Sequence, residues 1–104
     1  MQILVNTDNS IDGSDKLADT CSARVDKALD RYRDRISRVE LHLGDTNGAK
    51  TTPDDKRCSL EVRLNGMAPV AVAANGMSLE QAVDRALHKV TSAIEHTVGR
   101  LQDR

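Results

Sequence analysis

Arg57-Cys58-Ser59-Leu60-Glu61-Val62-Arg63-Leu64-Asn65-Gly66 carries two signals in ten residues. Cys58, Leu60, Val62 and Leu64 alternate with Arg57, Ser59, Glu61 and Arg63. That period of two predicts a strand with one buried and one wet face. Asn65-Gly66 then predicts a hairpin, because both residues tolerate positive φ in a type I′ turn. The returning strand is Ala68 to Ala74, and Pro69, which lacks an N–H, suits a sheet edge.

Upstream of this hairpin, Val39, Leu41 and Leu43 alternate with Arg38, Glu40 and His42, a further half-buried strand. Asp45 to Asp55 is polar, contains Gly48 and Pro53, and predicts a long mobile loop. At the N-terminus Ile3 and Val5 mark a first strand over residues 2–7, followed by the turn-rich Asp8-Asn9-Ser10-Ile11-Asp12-Gly13. Ser14 can cap a helix, with Asp15 favourably near its start. Leu17, Cys21, Val25, Ala28, Leu29 and Tyr32 form one apolar stripe and predict a helix over residues 15–33. After the last strand, Asn75-Gly76 is a stop, and Ser78 with Gln81 is a capping box. Leu79, Ala82, Val83, Ala86, Leu87, Val90, Ala93, Ile94, Val98 and Leu101 then predict a long helix over residues 79–101.

The order β-α-β-β-β-α predicts an α+β two-layer sandwich: a four-stranded mixed sheet with two parallel helices on one face. The first two strands, joined through a helix, should be parallel and right-handed. The next two joins are loops, so the remaining pairings should be antiparallel. Leu29, Val39, Leu60, Val62, Val83, Leu87 and Val90 should be core. At 104 residues the expectation is one domain, residues 1–104.

Composition narrows the function. Phe and Trp are absent and Tyr32 is the one aromatic, so the core is aliphatic and base stacking is restricted to Tyr32. No apolar run reaches the length of a membrane span, and the first residues lack the features of a signal peptide. The chain therefore reads as cytoplasmic, with no membrane partner. In a reducing cytosol Cys21 and Cys58 read as small buried hydrophobes. No Gly-rich phosphate loop, nucleophile elbow or paired catalytic carboxylates occur, which points to a binding protein without cofactor or small-molecule substrate. His42, His88 and His96 have no metal-ligand spacing, so no metal is expected.

Net charge is −1, from 15 basic and 16 acidic residues, but the charges are sorted. At about 100° per residue, Arg24, Lys27 and Arg31 share one flank of the first helix. Asp15, Asp19, Asp26 and Asp30 lie opposite the core. In the second helix Arg85, Lys89, His96 and Arg100 share one flank, and Glu80, Asp84 and Glu95 the other. Of the two basic flanks, one should line the groove between the helices and one the outer edge. One reading is a solvated surface with local pairs such as Lys27–Asp30 and Asp84–His88. The other is a phosphate-contacting surface, for which local density matters more than net charge. On the exposed sheet face, Arg38, Glu40, His42, Arg57, Glu61 and Arg63 predict cross-strand ion pairs.

Several strings, in order, resemble the ribosome hibernation-promoting factors and ribosome-associated inhibitors, historically labelled sigma-54 modulation proteins. They are Met1-Gln2-Ile3; Arg24-Val25-Asp26-Lys27-Ala28; Asp34-Arg35-Ile36 leading to Val39–Leu43; Leu79-Glu80-Gln81-Ala82-Val83-Asp84; and Lys89-Val90. The resemblance covers nearly the whole chain. It implies a fold like a double-stranded-RNA-binding domain and a partner in the rRNA of the small ribosomal subunit, in the channel used by mRNA and tRNA. It also implies translation inhibition by occupancy, without catalysis, in stressed or slow-growing cells. Arg24, Lys27 and Lys89 match family basic positions; Arg31, Arg85 and Arg100 come from the stripes. Further family basic positions in the second helix hold Ser92, His96 and Val98 here, with Glu95 adding negative charge. His96 takes the place of a family basic position and joins the candidate RNA-contacting residues. The resemblance is to the short forms of the family, and a monomer is expected when free. The rival reading is a divergent member that uses the same fold as a regulatory protein-interaction module.

Overall fold

The computed structural model describes residues 1–8, 15–45 and 56–102, with the backbone alone at residues 15 and 100–102. Its elements are β1 (Gln2–Thr7), α1 (Asp15–Ala28), a 3-10 segment (Asp30–Arg35), β2 (Ile36–Asp45), β3 (Lys56–Leu64), β4 (Val70–Gly76) and α2 (Leu79–Gln102). The strands form one sheet in the order β1-β2-β3-β4. β1 runs parallel to β2, and β2–β3 and β3–β4 are antiparallel. This is the mixed α+β sheet that the patterning predicts. Ser14 and most of the loop expected over residues 45–55 lie outside the described residues; Asp45 itself ends β2.

The alternation sets the layers. Val39 faces Val62, Leu41 faces Leu60 and Leu43 faces Cys58 across the β2–β3 ladder. None of the six is more than 2% exposed. They share one buried cluster with Cys21, Val25 and Leu29 of the α1 side and with Ala82, Val83, Ala86, Val90 and Ile94 of α2. Fully burying a Val or Leu stabilises by about 1.5–3 kcal/mol, so this layer contact dominates the fold. Every residue expected in the core is buried.

The first helix departs from its expected length. The α-helix stops at Ala28, and the chain tightens into the 3-10 segment, with the Tyr32 N–H donating to Leu29 O at 3.0 Å. In a 3-10 turn residues i and i+3 eclipse, so Leu29 and Tyr32 enter the core together and Ile36 follows as the first buried residue of β2. Arg33 straddles the junction, pairing with Asp26 and, at 3.3 Å, with Asp30.

The hairpin also differs. Only Gly66 takes positive φ, at 74°, and the Met67 N–H donates to Leu64 O at 3.4 Å. Positive φ at the second central residue alone belongs to a type II turn, not type I′. The cause is Asn65. Its N–H donates to Arg35 O at 2.8 Å and its Nδ2 to Asp34 O at 3.3 Å, so it is tied to the 3-10 segment. Strand pairing resumes only at Val62–Val70, and β4 begins at Val70 instead of Ala68.

At the start of α2 the Gln81 N–H donates to Ser78 Oγ at 3.1 Å, and Gln81 Oε1 accepts from the Met77 N–H at 2.8 Å. The expected capping box forms, shifted by one residue on its return bond. Gly76 abuts this turn so closely that a Cβ would lie 2.6 Å from the Ala82 nitrogen.

Leu87→Ala should cost about 2–5 kcal/mol in denaturant unfolding, and Gly76→Ala about 1–3 kcal/mol by overpacking against helix backbone. A near-neutral Leu87→Ala would mean that α2 does not dock on the sheet as described. The buried cysteines give a second check. Burial pushes the Cys58 thiol up to about 12 and also raises Cys21. Both should stay protonated and unreactive toward a thiol reagent at pH 8, and both should react once the protein is denatured.

Candidate nucleic-acid interface

The sorted charges occupy two grooves separated by one ridge of α2. The groove between the helices is lined by Thr20, Arg24, Lys27, Asp84, His88 and Thr91, among others. A second groove, over β4, is lined by Asn75, Glu80, Asp84, Arg85, His88 and Lys89, among others. Asp84 and His88 border both. The α1 flank thus faces the interhelical groove, and the α2 flank faces the sheet edge.

Arg24 does not stand open to a ligand. Its Nη1 donates to both Asp84 oxygens, at 2.7 and 2.8 Å, and its Nη2 to Glu80 Oε2 at 3.3 Å. The hydrogen bonds and charge of Asp84 hold the Arg24 guanidinium above its ordinary pKa, with Glu80 adding to the effect. The acidic flank of α2 is therefore turned into the groove, against the basic flank of α1.

The expected local pairs are replaced. Asp84 engages Arg24 instead of His88, and Asp30 engages Arg33 instead of Lys27. Arg24 Nη1 reaches both Asp84 oxygens and leaves Nη2 for Glu80, so one always-charged guanidinium holds two carboxylates. Among the described residues, Lys27 and His88 make no ion pair.

Arg85 and Lys89 reach over β4, the last strand of the sheet. Arg85 Nη1 donates to Asn75 O at 2.9 Å, and Lys89 Nζ to Ala73 O at 2.8 Å. Together they blunt an edge that could otherwise pair with another chain; Pro69, expected on that edge, lies just before β4.

Arg31 is not with Arg24 and Lys27. Because α1 ends at Ala28, Arg31 sits in the 3-10 segment with its guanidinium 5.0 Å from the centre of the Tyr32 ring. It lines a separate hollow with Arg35 and Glu95. Tyr32 is buried beneath it, at 7% exposure, which removes the one aromatic from base stacking. His96 is exposed on α2, one helical stretch beyond both grooves. The side chain of Arg100 lies outside the described residues.

His88 is the groove residue that the stripe reading left out. Its signal was its place four residues after Asp84, midway in angle between the acidic and basic flanks.

The outer sheet face corrects the expectation of cross-strand pairs. Register places Arg38 opposite Arg63 and Glu40 opposite Glu61, like against like. The ion pairs therefore run along strands: Arg38 with Glu40, Arg63 with Glu61 at 3.3 Å, and His42 with Glu40 at 3.6 Å. Lys56–Asp45, at 3.1 Å, does cross strands, at the far end of the β2–β3 ladder. Among the described residues, no three His, Cys, Asp or Glu converge as a metal site, and no helix is long and apolar enough to cross a membrane.

The chain belongs to the sigma 54 modulation protein / S30EA ribosomal protein family, whose model matches residues 4–102. Its fold is similar to that of the Thermus thermophilus Protein Y N-terminal domain, with a TM-score of 0.74 at 24% identity over 93% of this chain and 99% of that one. It is also similar to a ribosomal subunit interface protein from Coxiella burnetii, with a TM-score of 0.72 at 20% identity over 95% of this chain and 99% of that one. No curated protein matches the chain by sequence.

Arg85→Ala/Lys89→Ala should leave the fold intact by circular dichroism but uncover the β4 edge. Sedimentation velocity should show concentration-dependent self-association in this variant beyond that of wild type.

Proposed function

We propose that the chain is a ribosome-associated translation inhibitor that binds rRNA in the mRNA and tRNA channel of the small subunit, under stress or in stationary phase. The observation that carries this reading is the family match over residues 4–102, in a chain whose helices present sorted basic flanks. The two structural relatives support it through what they are called: a Protein Y domain and a ribosomal subunit interface protein. Inhibition is by occupancy of the channel, with no catalytic step, and takes place in the cytoplasm on one folded unit.

The contact set is Arg24, Lys27, Arg31, Arg85, Lys89, His96 and Arg100. Lys27 and Lys89 supply point charges from the two grooves. Arg24 enters by exchanging its carboxylate partners for phosphate. Arg31 and His96 extend the contact past the grooves. Phosphate contacts of this kind position a protein on nucleic acid without reading its sequence.

A second reading, a protein-interaction module in regulation, draws on one observation: Arg24 is already neutralised by Asp84 and Glu80.

Arg24→Ala/Lys27→Ala/Lys89→Ala should pellet less with small subunits than wild type does. The salt dependence of its binding should flatten by about one unit of slope per lost contact. If the folded triple variant pellets as wild type does, the basic flanks are not the contact surface. If wild type fails to pellet at low salt, the interaction-module reading replaces this one.

A further inference from the structure

The interhelical groove is lined by Arg24, Lys27 and Asp84, and Glu80, which lines the neighbouring groove, also reaches Arg24, so these four side chains sum to a formal charge of zero. The three paired side chains are far from buried: Arg24 is 34%, Glu80 64% and Asp84 56% exposed. Ion pairs this exposed contribute little to stability. Holding the helices together is therefore a weak account of why two carboxylates converge on one guanidinium. Their stronger effect is on what else that guanidinium can bind. Carboxylate and phosphate compete for the same paired N–H donors, and the carboxylates repel any phosphate that approaches.

We propose that Asp84 and Glu80 act as an intramolecular rival to phosphate at Arg24, so that the groove rejects isolated RNA strands and engages only a surface offering several phosphates at once. The proposal rests on the phosphate-contacting reading given above and names the device that makes it selective. A flexible strand that meets Arg24 gains one contact and must displace two carboxylates. A folded RNA surface contacts Lys27, Lys89 and Arg24 together, and the exchange at Arg24 is then one term among several. Selectivity arises from a built-in repulsive element as well as from attraction.

The test compares wild type with Asp84→Asn, Glu80→Gln and the double variant, each checked for folding by circular dichroism. Binding to a 20-nucleotide oligouridylate and to purified small ribosomal subunits is measured over a range of salt. The double variant should bind oligouridylate about tenfold more tightly. Its log–log salt slope should steepen by about 0.7 for the freed contact on a single strand. Asp84→Asn should account for most of the gain, since Asp84 makes the two shorter contacts. Affinity for subunits should rise by a smaller factor, so discrimination falls. Adding Arg24→Gln to the double variant should remove most of the gain and the added salt slope, leaving only the part due to lost repulsion. An unchanged oligouridylate affinity overturns the proposal, as does an equal gain on both ligands or a gain that Arg24→Gln leaves undiminished. Should the double variant fail to fold, Glu80→Gln, which keeps the Nη1 contacts to both Asp84 oxygens, carries the comparison with a smaller expected gain. If wild type does not bind subunits at all, the ribosome reading fails, and the oligouridylate arm still decides whether Arg24 is held back.

Discussion

Everything in this molecule is arranged around the β2–β3 ladder. Its register pairs Val39 with Val62, Leu41 with Leu60 and Leu43 with Cys58, which makes one face of the central strands wholly apolar. A shift of one residue would turn all of these to solvent and bring Arg38, Glu40, Glu61 and Arg63 inward. The helices have no other surface broad enough to cover their own stripes, so their docking follows from that register. The same register fixes the opposite face, where Arg meets Arg and Glu meets Glu. Those charges find partners along their own strands because the apolar face, with far more at stake, sets the alignment.

The aliphatic core also limits what the surface can do. With Tyr32 buried, no aromatic ring is offered to a nucleobase, and the chemistry left for recognition is charge. Charge in turn is disposed by helix geometry. The break after Ala28 removes Arg31 from the row that begins with Arg24, and the tie from Asn65 to Arg35 holds the break in place from the hairpin side. A packing requirement, the joint entry of Leu29 and Tyr32 into the core, thereby separates two cations that sequence spacing would unite.

Element type, order and core were legible because each rests on a repeating local period: two in the strands around Leu60, and three to four in the helices around Val25 and Val90. The 3-10 segment was not legible. Leu29 and Tyr32 are as compatible with a continuing α-helix as with a tighter turn, and the segment's end is tied to a residue distant in sequence, Asn65. The turn at Gly66 was misread for the same reason: Asn65 tolerates positive φ but is held elsewhere by Asp34 and Arg35. At the surface, helical angles placed Arg24 with Lys27 and Arg85 with Lys89, but not Arg31, which lies past the end of α1. They could not say which flank of α2 faces α1, and that choice turns Asp84 toward Arg24 and away from His88.

The two basic flanks therefore enter any encounter with an anion in different states. Lys89 donates to a neutral backbone oxygen, Ala73 O, which leaves its positive charge uncancelled and its remaining donors available. Arg24 donates to two carboxylates, which cancel its charge before a ligand arrives. Long-range attraction depends on uncancelled charge, which Lys89 supplies on the β4 side of α2 and Lys27 in the interhelical groove. Arg24 adds its charge only after Asp84 and Glu80 are displaced. On the proposed reading, the two lysines make the first contact and Arg24 joins where its carboxylates are exchanged. A chain of net charge −1 can present a phosphate-directed surface on these terms, because the negative charges that balance the total also decide which cations are held in reserve.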